Sequence, residues 1–197
     1  MLPSRDFDAR TIEFLTKYGF YAKSALDVGA RWHPEHGAGL WKGLARFGVT
    51  DYRIVEIWPA NVAALKEHDF HAIEGDVRRL AHFVGKGAVD CVCWFHGPEH
   101  LGAFAEIREA LMQCAQVAKK YVLLSFPIGK EPQGAMDGNP YEEHRFVLEQ
   151  DMIPRVANCF PSGKVAWRIY VRPPRQVGEY TVKFNPNCVL LWEKKGV

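Results

Sequence analysis

Two hydrophobic patterns alternate along the first two thirds of the chain. Short, almost continuous apolar runs predict buried strands over residues 24–28, 52–57, 70–74, 89–95 and 121–126. Apolar residues at three- and four-residue spacing predict helices over residues 7–19, 38–47, 59–68 and from Gly97 onward. Parallel neighbouring strands need crossover connections of this kind, so the order of elements predicts a doubly wound α/β sheet.

The last third of the chain has a different pattern. Residues 127–143 are rich in glycine, proline and charge and predict a long loop, and residues 145–158 predict a helix. Residues 165–171 and 188–194 then predict two strands, which commonly form an antiparallel pair at the edge of such a sheet. We therefore expect one domain over residues 1–197, with a mostly parallel, seven-stranded sheet and an antiparallel C-terminal edge.

Composition narrows the class of protein and its partners. A hydrophobic content of 48% and a charged content of 24% are those of an ordinary globular protein. A net charge of +2, from 25 basic and 23 acidic residues, gives no electrostatic footprint for nucleic acid, which makes that partner the less favoured one. The five cysteines contain no C-x-x-C pair, and neither a signal peptide nor a membrane span is apparent. We expect a cytoplasmic protein without a membrane partner.

Acidic residues follow three of the predicted strands. Open α/β sheets bind ligands beyond the carboxyl ends of their strands, and Asp27, Glu56 and Asp76 stand at those ends. Carboxylates suit a ligand that offers hydroxyls and amines, and they repel a polyphosphate. The chain also has no G-x-x-x-x-G-K-[ST] motif, so an ATPase or GTPase with such a phosphate-binding loop is excluded.

The loop after the first strand departs from the dinucleotide pattern. It reads Gly29-Ala30-Arg31 where G-x-G is expected, and Trp32-His33-Pro34-Glu35-His36 follow as an insert. The absence of a G-x-G-x-x-G motif argues against NAD as the cofactor, because that motif brings the backbone close to a pyrophosphate. Ala30 preserves a close approach if its φ is negative and is strained if its φ is positive. A cofactor with adenosine and ribose but no phosphate fits better.

Four motifs occur in order, each at its own strand end: ALDVG (25–29), VEIWP (55–59), EGDV (74–77) and DCVCWFHGPEHL (90–101). With them, roughly residues 20–195 resemble the class I S-adenosylmethionine-dependent methyltransferases of the small-molecule type. The resemblance implies a Rossmann-like methyltransferase fold with S-adenosyl-L-methionine as its cofactor. Within it, residues 1–20 would be an N-terminal helix, and residues 127–145 would form a loop over the substrate side.

The resemblance also implies a role for individual positions. Those it assigns to the cofactor are Asp27, Gly29, Ala30, Glu56, Ile57, Asp76, Val77 and Phe95. Asp27 and Gly29 would face the methionine part of the cofactor, with the Ala30 backbone nearby. Glu56 would hold the ribose hydroxyls, which an acid at the end of the second strand is able to do. Ile57 would pack on the adenine, the alternative being a plain core residue.

The remaining cofactor positions follow the third and fourth strands. Asp76 would accept a hydrogen bond from the adenine amino group, with Val77 close by. The alternative for Asp76 is that it only caps a turn. Phe95 and His96 would line the floor beneath the sulfonium.

Histidines are the candidate catalytic residues. A histidine with a pKa of about 6.5 is suited to take a proton from a hydroxyl or an amine. His96 and His144 are the predicted bases, in a constellation with Glu99 and Tyr141. The alternatives are that His144 is a loop residue bonded to backbone and that Glu99 serves a helix N-terminus.

The sequence predicts no metal site. Residues 96–100 match the zinc-peptidase pattern H-x-x-E-H, but that chemistry needs both histidines on one helical face. Gly97 and Pro98 lie between them, which places His96 before the helix. The other pair, His33 and His36, lacks an obvious third ligand.

Three functions compete. The first is transfer of a methyl group to an oxygen or nitrogen of a small molecule, with Trp32, Trp41, Trp58 and Trp94 as a candidate acceptor pocket. The second is methylation of nucleic acid or protein, for which Arg168, Arg172, Arg175 and Lys183 are candidates for a basic groove. The third is a non-catalytic binding module, favoured by the altered loop. The sequence does not indicate an oligomeric state.

Overall fold

The strands were assigned in a computed structural model of the protein. It describes residues 9–34, 37–135, 138–171, 175–177, 180–182 and 185–196. In chain order the strands are β1 (Ser24–Val28), β2 (Trp32–His33), β3 (Gly37–Ala38), β4 (Asp51–Glu56), β5 (His71–Glu74), β6 (Val89–Phe95), β7 (Ala118–Pro127), β8 (Gly163–Tyr170), β9 (Arg175–Val177), β10 (Tyr180–Val182) and β11 (Asn187–Lys194).

Six α-helices connect these strands in the described part of the chain: α1 (Ala9–Lys17), α2 (Trp41–Ala45), α3 (Pro59–Glu67), α4 (Leu80–Val84), α5 (Phe104–Val117) and α6 (Ile153–Ala157). Short 3₁₀ turns occur at Val77–Arg79, Pro98–His100, Pro140–Glu142 and Gln150–Met152. No helix in this part of the chain has both the length and the hydropathy needed to cross a membrane.

Seven of the strands form one sheet, in the order β5-β4-β1-β6-β7-β11-β8. The first five are parallel, and β11 runs antiparallel to both of its neighbours. This confirms the predicted seven-stranded, mostly parallel sheet with an antiparallel C-terminal edge. The carboxyl ends of β1, β4, β5 and β6 consequently meet along one rim.

Strand β6 shows how the sheet is buried on both faces. Successive side chains of a strand point to opposite faces. Cys91, Cys93 and Phe95 accordingly pack with the layer that contains residues of α1 and α2, whereas Val92 and Trp94 pack with the layer that contains α5. Every residue of β6 is buried, which explains its continuous apolar run.

Two helices begin later than the sequence predicts. The helix expected from Gly97 begins only at Phe104, since Pro98–His100 form a 3₁₀ turn and Leu101 is extended. The helix expected over 145–158 is reduced to α6. Pro154 lies at the start of α6, where its missing N–H is tolerated; inside a longer helix it would break a hydrogen bond. Helix α4 was not predicted.

The helix expected over 38–47 also begins late, at Trp41. Strands β2 and β3 form a small antiparallel hairpin in the insert, of which Glu35 and His36 lie outside the described residues. Gly37 and Gly39 have φ values of 77° and 37°, a left-handed conformation that ends any helical path before Leu40. The insert is therefore a hairpin followed by a short helix.

Candidate functional site

A cleft of about 240 Å³ lies at the carboxyl rim of the sheet. Six of the predicted site residues line it: Gly29, Glu56, Ile57, Asp76, Val77 and His96. They follow four different strands, so the cleft is assembled by the parallel topology rather than by one local motif. Four other predicted residues, Asp27, Ala30, Phe95 and His144, are not among its lining residues.

Glu56 is the buried carboxylate of this cleft. It is the last residue of β4, and its Oε1 accepts a hydrogen bond of 2.8 Å from the amide of Trp58. Its carbonyl oxygen accepts the amide of Gly75 at 3.0 Å, which ties the end of β4 to the loop after β5. The Glu56 side chain is thus fixed by local backbone at the rim of the sheet.

Asp76 lines the cleft and also caps the turn that follows it. Its Oδ1 accepts the Arg78 amide at 2.8 Å, and the Arg78 guanidinium bonds both carboxylate oxygens. Burial raises the pKa of Asp76, but the hydrogen bonds and charge of Arg78 outweigh it and hold that pKa below its usual range. Arg78 also contacts Glu106 at 2.9 Å. Asp76 therefore caps the turn, as the alternative reading proposed. If it also contacts adenine, it would do so while paired with Arg78.

Asp27 lies beneath the cleft and organises the loop above it. The side chain is fully buried, and its Oδ2 accepts the Tyr52 hydroxyl at 2.5 Å and the Leu40 amide at 3.0 Å. Asp27, which was predicted to face the cofactor, points in β1 to the face opposite Val28, so Val28 lines the cleft and the Asp27 side chain does not. Asp27 ties the start of α2 to the end of β1.

The altered glycine loop is rerouted rather than strained. Gly29 has a φ of 72°, and its amide donates to the Val55 carbonyl at 2.7 Å. Ala30 is fully buried among core residues, and its φ is not positive, so the strain considered for it is not present. The hairpin insert begins after Arg31 and ends at Gly39. The Gly39 amide closes it by donating a hydrogen bond to the Arg31 carbonyl at 3.4 Å.

Gly39 is the close-approach glycine that the sequence reading missed. A Cβ at this position would meet the Asp27 Oδ2 and would lie 2.8 Å from both the Ala30 Cβ and the Tyr52 hydroxyl. Nothing in the sequence marked it except a second glycine two positions after Gly37. The close-approach glycine of this loop is therefore Gly39, whose backbone packs against Asp27.

Replacing Tyr52 by phenylalanine is expected to destabilise the fold by about 1–3 kcal/mol, because a buried charged acceptor loses a donor. Burial, followed by the charge and hydrogen bond of Asp27, raises the pKa of Tyr52 well above its usual 10.0. The hydroxyl contribution is therefore complete below about pH 10 and is lost as pH rises toward the folded-state pKa. Urea unfolding of both proteins at pH 8 and pH 11 should show their difference shrinking with pH. The exposed Tyr18→Phe is the control, and an equal effect from it would contradict the assignment.

Phe95 does not form the floor of the cleft. It packs in the core with Cys93 and Leu123, on the face of β6 opposite Trp94. Trp94 is the residue that lines the cleft, since side chains alternate along the strand. Gly97 covers the indole, because a Cβ there would collide with the Trp94 Nε1.

His96 leaves the strand in an uncommon conformation. Its φ is 50°, and its amide donates to the Ser125 carbonyl at 2.7 Å. Non-glycine residues rarely adopt this region, and strain of this kind clusters at functional sites. The side chain lines the cleft, and its Nδ1 lies 3.5 Å from the Glu99 Oε1. His96 is thus held at the rim by its backbone and by a buried carboxylate.

Glu99 is buried and joins the cleft to the long loop. Its side chain is 2% exposed. Burial raises its pKa, but the interaction with His96, and then the charge of His100, hold that pKa below its usual range. The Glu99 carbonyl accepts the amides of Arg145 and Phe146 at 2.9 and 3.0 Å. This anchor draws the loop to the cleft, where its residues Asn139, Tyr141, Glu142 and Arg145 contribute to the lining.

His144 lies on the far side of this anchor. Its Nδ1 is hydrogen-bonded to the Glu131 carbonyl at 2.5 Å, and its ring centroid is 4.9 Å from that of His100. The backbone-bonded alternative is therefore what the structure contains. His144 reaches the cleft only through His100, which does line it.

The other aromatic and basic candidates are mostly elsewhere. Of the four tryptophans, Trp94 alone lines the cleft; Trp32 stacks on His68 at 3.7 Å between ring centroids. Arg168 pairs with Glu13 at 3.2 Å. Arg172 and Lys183 lie outside the described residues, and Arg175 is described in its backbone only.

Four charged residues of the cleft were not predicted: Arg78, Glu106, Glu142 and Arg145. Arg78 directly follows the Asp76 turn, and that adjacency was the available signal. Glu106 and Arg145 come from α5 and from the long loop, and only the tertiary fold brings them to the rim. The cleft consequently contains four carboxylates and two guanidinium groups.

No protein-family model and no curated protein sequence matches the chain. Solved structures do. An S-adenosylmethionine-dependent methyltransferase from Archaeoglobus fulgidus is 15% identical, with 97% of this chain and 95% of that chain covered and a TM-score of 0.62. A magnesium protoporphyrin IX methyltransferase from Synechocystis, solved with bound S-adenosylhomocysteine, is 14% identical over 94% and 80% of the two chains, with a TM-score of 0.60.

A third similar structure is a sarcosine dimethylglycine methyltransferase described as putative, from Galdieria sulphuraria. It is 14% identical, with 94% of this chain and 85% of that chain covered and a TM-score of 0.59. At such identities the likeness concerns the fold. The sheet order, the carboxyl-rim cleft and these neighbours together show that the chain has the Rossmann-like fold of the class I S-adenosylmethionine-dependent methyltransferases.

Proposed function

We propose that this protein is a methyltransferase that binds S-adenosyl-L-methionine in the rim cleft and transfers its methyl group to an oxygen or nitrogen of a small molecule. The observation that carries the proposal is the position of Glu56, a buried carboxylate at the end of β4 that lines the cleft. A carboxylate at this strand end is suited to accept hydrogen bonds from two ribose hydroxyls. The fold of the neighbouring structures supports the same reading.

The cleft residues fit the parts of the cofactor. Ile57 and Val77 offer apolar surface for an adenine ring near Glu56, and Gly29 at φ 72° leaves its backbone uncovered by a side chain. Asp76 and Arg78 form a fixed ion pair beside them, which supplies both an acceptor and a donor. When bound, the cofactor supplies a methyl group on a sulfonium, an excellent leaving group. The protein then has to orient the acceptor and exclude water.

His96 is our candidate for the general base. It lines the cleft with its side chain 28% exposed, and Glu99 stands behind it at 3.5 Å. A histidine oriented by a carboxylate can take the proton of an acceptor hydroxyl or amine as the methyl bond forms. Glu99 is then a positioning residue that favours the protonated imidazole. His144, the second predicted base, does not line the cleft and is set aside for that role.

A small acceptor suits the size and cover of the cleft. Tyr141 and Arg145 of the long loop line it, and the Glu99 carbonyl anchors that loop through the Arg145 and Phe146 amides. Residues 127–145 would thus cover the substrate side and keep water from the sulfonium. Methylation of nucleic acid or protein requires a more open surface beside the cofactor.

The first test is calorimetric titration of the purified protein with S-adenosylmethionine, with NAD as the control ligand. Micromolar binding of the former alone is expected. Methyl-labelled cofactor is then incubated with a small-molecule extract and, separately, with nucleic acid and with protein. Label in the small-molecule pool supports the proposal, and label in the polymers alone overturns the acceptor class. Failure to bind the cofactor would favour the non-catalytic module.

Replacing His96 by alanine is expected to lower turnover by about 100–10,000-fold, the usual range for a general base, and to leave cofactor affinity unchanged. Glu56, the proposed ribose-binding residue, lies at the end of another strand, so the His96→Ala substitution is expected to leave it in place. Turnover is measured with the acceptor identified above, and cofactor affinity by calorimetry. His82→Ala, on α4, is the matched control. Unchanged turnover in His96→Ala would remove it as the base.

A further inference from the structure

We propose that Glu99, His100 and His144 form a binding site for one zinc ion beside the cleft. One ligand-capable atom of each residue lies within 4.8 Å of those of the other two. The three residues come from the 3₁₀ turn after β6 and from the long loop, which the Glu99 carbonyl holds together. The cluster therefore exists only in the folded chain.

The Glu99 carboxylate is the first reason to assign a cation here. The side chain is 2% exposed, and neither of its oxygens accepts a hydrogen bond from a residue that the structure describes. His96 approaches Oε1 to 3.5 Å, which is ion-pair range, and this leaves Oε2 for a second partner. His96 and His100 offset the cost of burying this charge, but Oε2 has no hydrogen-bond partner in the described structure, and a bound cation would supply a partner for it.

The hydrogen bonds of the two histidines supply a second, independent reason. The Nδ1 of His100 is 3.1 Å from the Glu143 carbonyl, and the Nδ1 of His144 is 2.5 Å from the Glu131 carbonyl. A carbonyl only accepts, so each Nδ1 carries the proton and each Nε2 keeps its lone pair. Metal-binding histidines are characteristically held this way, with one ring nitrogen donating to a carbonyl and the other bound to the ion.

The donor set favours zinc. Two imidazoles and one carboxylate are the protein ligands of several catalytic zinc sites, which keep a fourth position open. The H-x-x-E-H pattern at 96–100 failed as a zinc motif because these residues are not on a helix. The structure replaces the helical second histidine by His144, which lies 44 positions beyond His100 in the chain. The sequence prediction of no metal site is therefore revised here.

The location suggests a use for the open position. His100 lines the cleft, so an ion bound to it stands at the edge where an acceptor would enter. Zinc bound to an acceptor hydroxyl lowers its pKa and makes it a better nucleophile at neutral pH. This use rests on the proposed methyltransferase function, whereas the zinc site itself does not.

The test is calorimetric titration of chelator-treated protein with Zn²⁺, followed by Co²⁺ substitution and its absorption spectrum. One tight site per chain and a tetrahedral Co²⁺ spectrum are expected. Loss of an outer-shell partner alone typically costs about 10–100-fold in metal affinity, so Glu99→Gln and His144→Ala should each cost at least about 100-fold. His71→Ala, an exposed histidine on β5, is the matched control and should bind zinc normally.

The failures of the two proposals are distinguishable. Zinc binding is measured without cofactor, and cofactor binding is measured on the same variants by calorimetry. His144 lies on a loop, and circular dichroism of His144→Ala reports whether the fold is retained. No zinc binding by the folded wild-type protein, or equal zinc affinity in His144→Ala and His71→Ala, would overturn the site while leaving the cofactor proposal standing.

Discussion

Replacing Glu56 by glutamine is expected to weaken S-adenosylmethionine binding by about 10–100-fold. Hydrogen bonds to a charged group contribute about 1.5–3 kcal/mol, and the two ribose hydroxyls would lose the charged acceptor while an amide oxygen remains. A loss of about 1.4–2.8 kcal/mol corresponds to that range of affinity. Glutamine also keeps an oxygen for the Trp58 amide, now 2.8 Å from Glu56 Oε1, so the turn before α3 is preserved. Calorimetric titration gives the dissociation constant directly.

The matched control for this change is Glu74→Gln. Glu74 ends β5 and is in register with Glu56 on the neighbouring strand, but it is exposed and does not line the cleft. The same charge is removed from the same rim, so any general electrostatic effect is shared by the two variants. A wild-type affinity in Glu56→Gln would take Glu56 out of the binding site, and equal weakening in both variants would assign the effect to charge alone.

The sheet was predictable because each buried strand has a recognisable apolar run in the sequence. The run 89–95 is apolar throughout because β6 is covered on both faces, and that signal is local. The apolar runs also mark where the strands end. Glu56 and His96 could therefore be predicted at the cleft from the sequence alone. Their position depends on strand length and parallel pairing alone.

Some predicted site residues do not line the cleft because tertiary contacts decide where their side chains lie. Asp27 was expected at the cofactor, but its face of β1 is decided by Tyr52 and by a hairpin whose shape depends on two glycines. Phe95 was expected beneath the sulfonium, but side chains alternate along a strand, and its neighbour Trp94 is the one that lines the cleft. His144 was grouped with Glu99 from the sequence, and backbone hydrogen bonds of the Glu99 carbonyl do bring its loop there, but His144 stays outside the cleft lining.

Gly39→Ala is expected to destabilise the fold by about 3 kcal/mol or more. Two effects add. A left-handed backbone costs an alanine about 1–2 kcal/mol, and overpacking a filled site typically costs about 1–3 kcal/mol. Gly39 has a φ of 37°, and its new Cβ would collide with the Asp27 Oδ2 and lie 2.8 Å from the Tyr52 hydroxyl. Relief would require Asp27 to release the Leu40 amide, and the start of α2 would then detach from β1.

Gly37→Ala separates the two effects within the same hairpin. Gly37 has a φ of 77°, so it has comparable backbone strain, but a Cβ there meets no atom of the residues that the structure describes within 4 Å. Its expected cost is only the backbone term of about 1–2 kcal/mol. Urea unfolding of both variants should therefore differ by about 2 kcal/mol, the overpacking term. If the two alanine variants lose the same free energy of unfolding, Gly39 does not pack on Asp27. The role of Gly39 as the close-approach glycine of the loop would then be withdrawn.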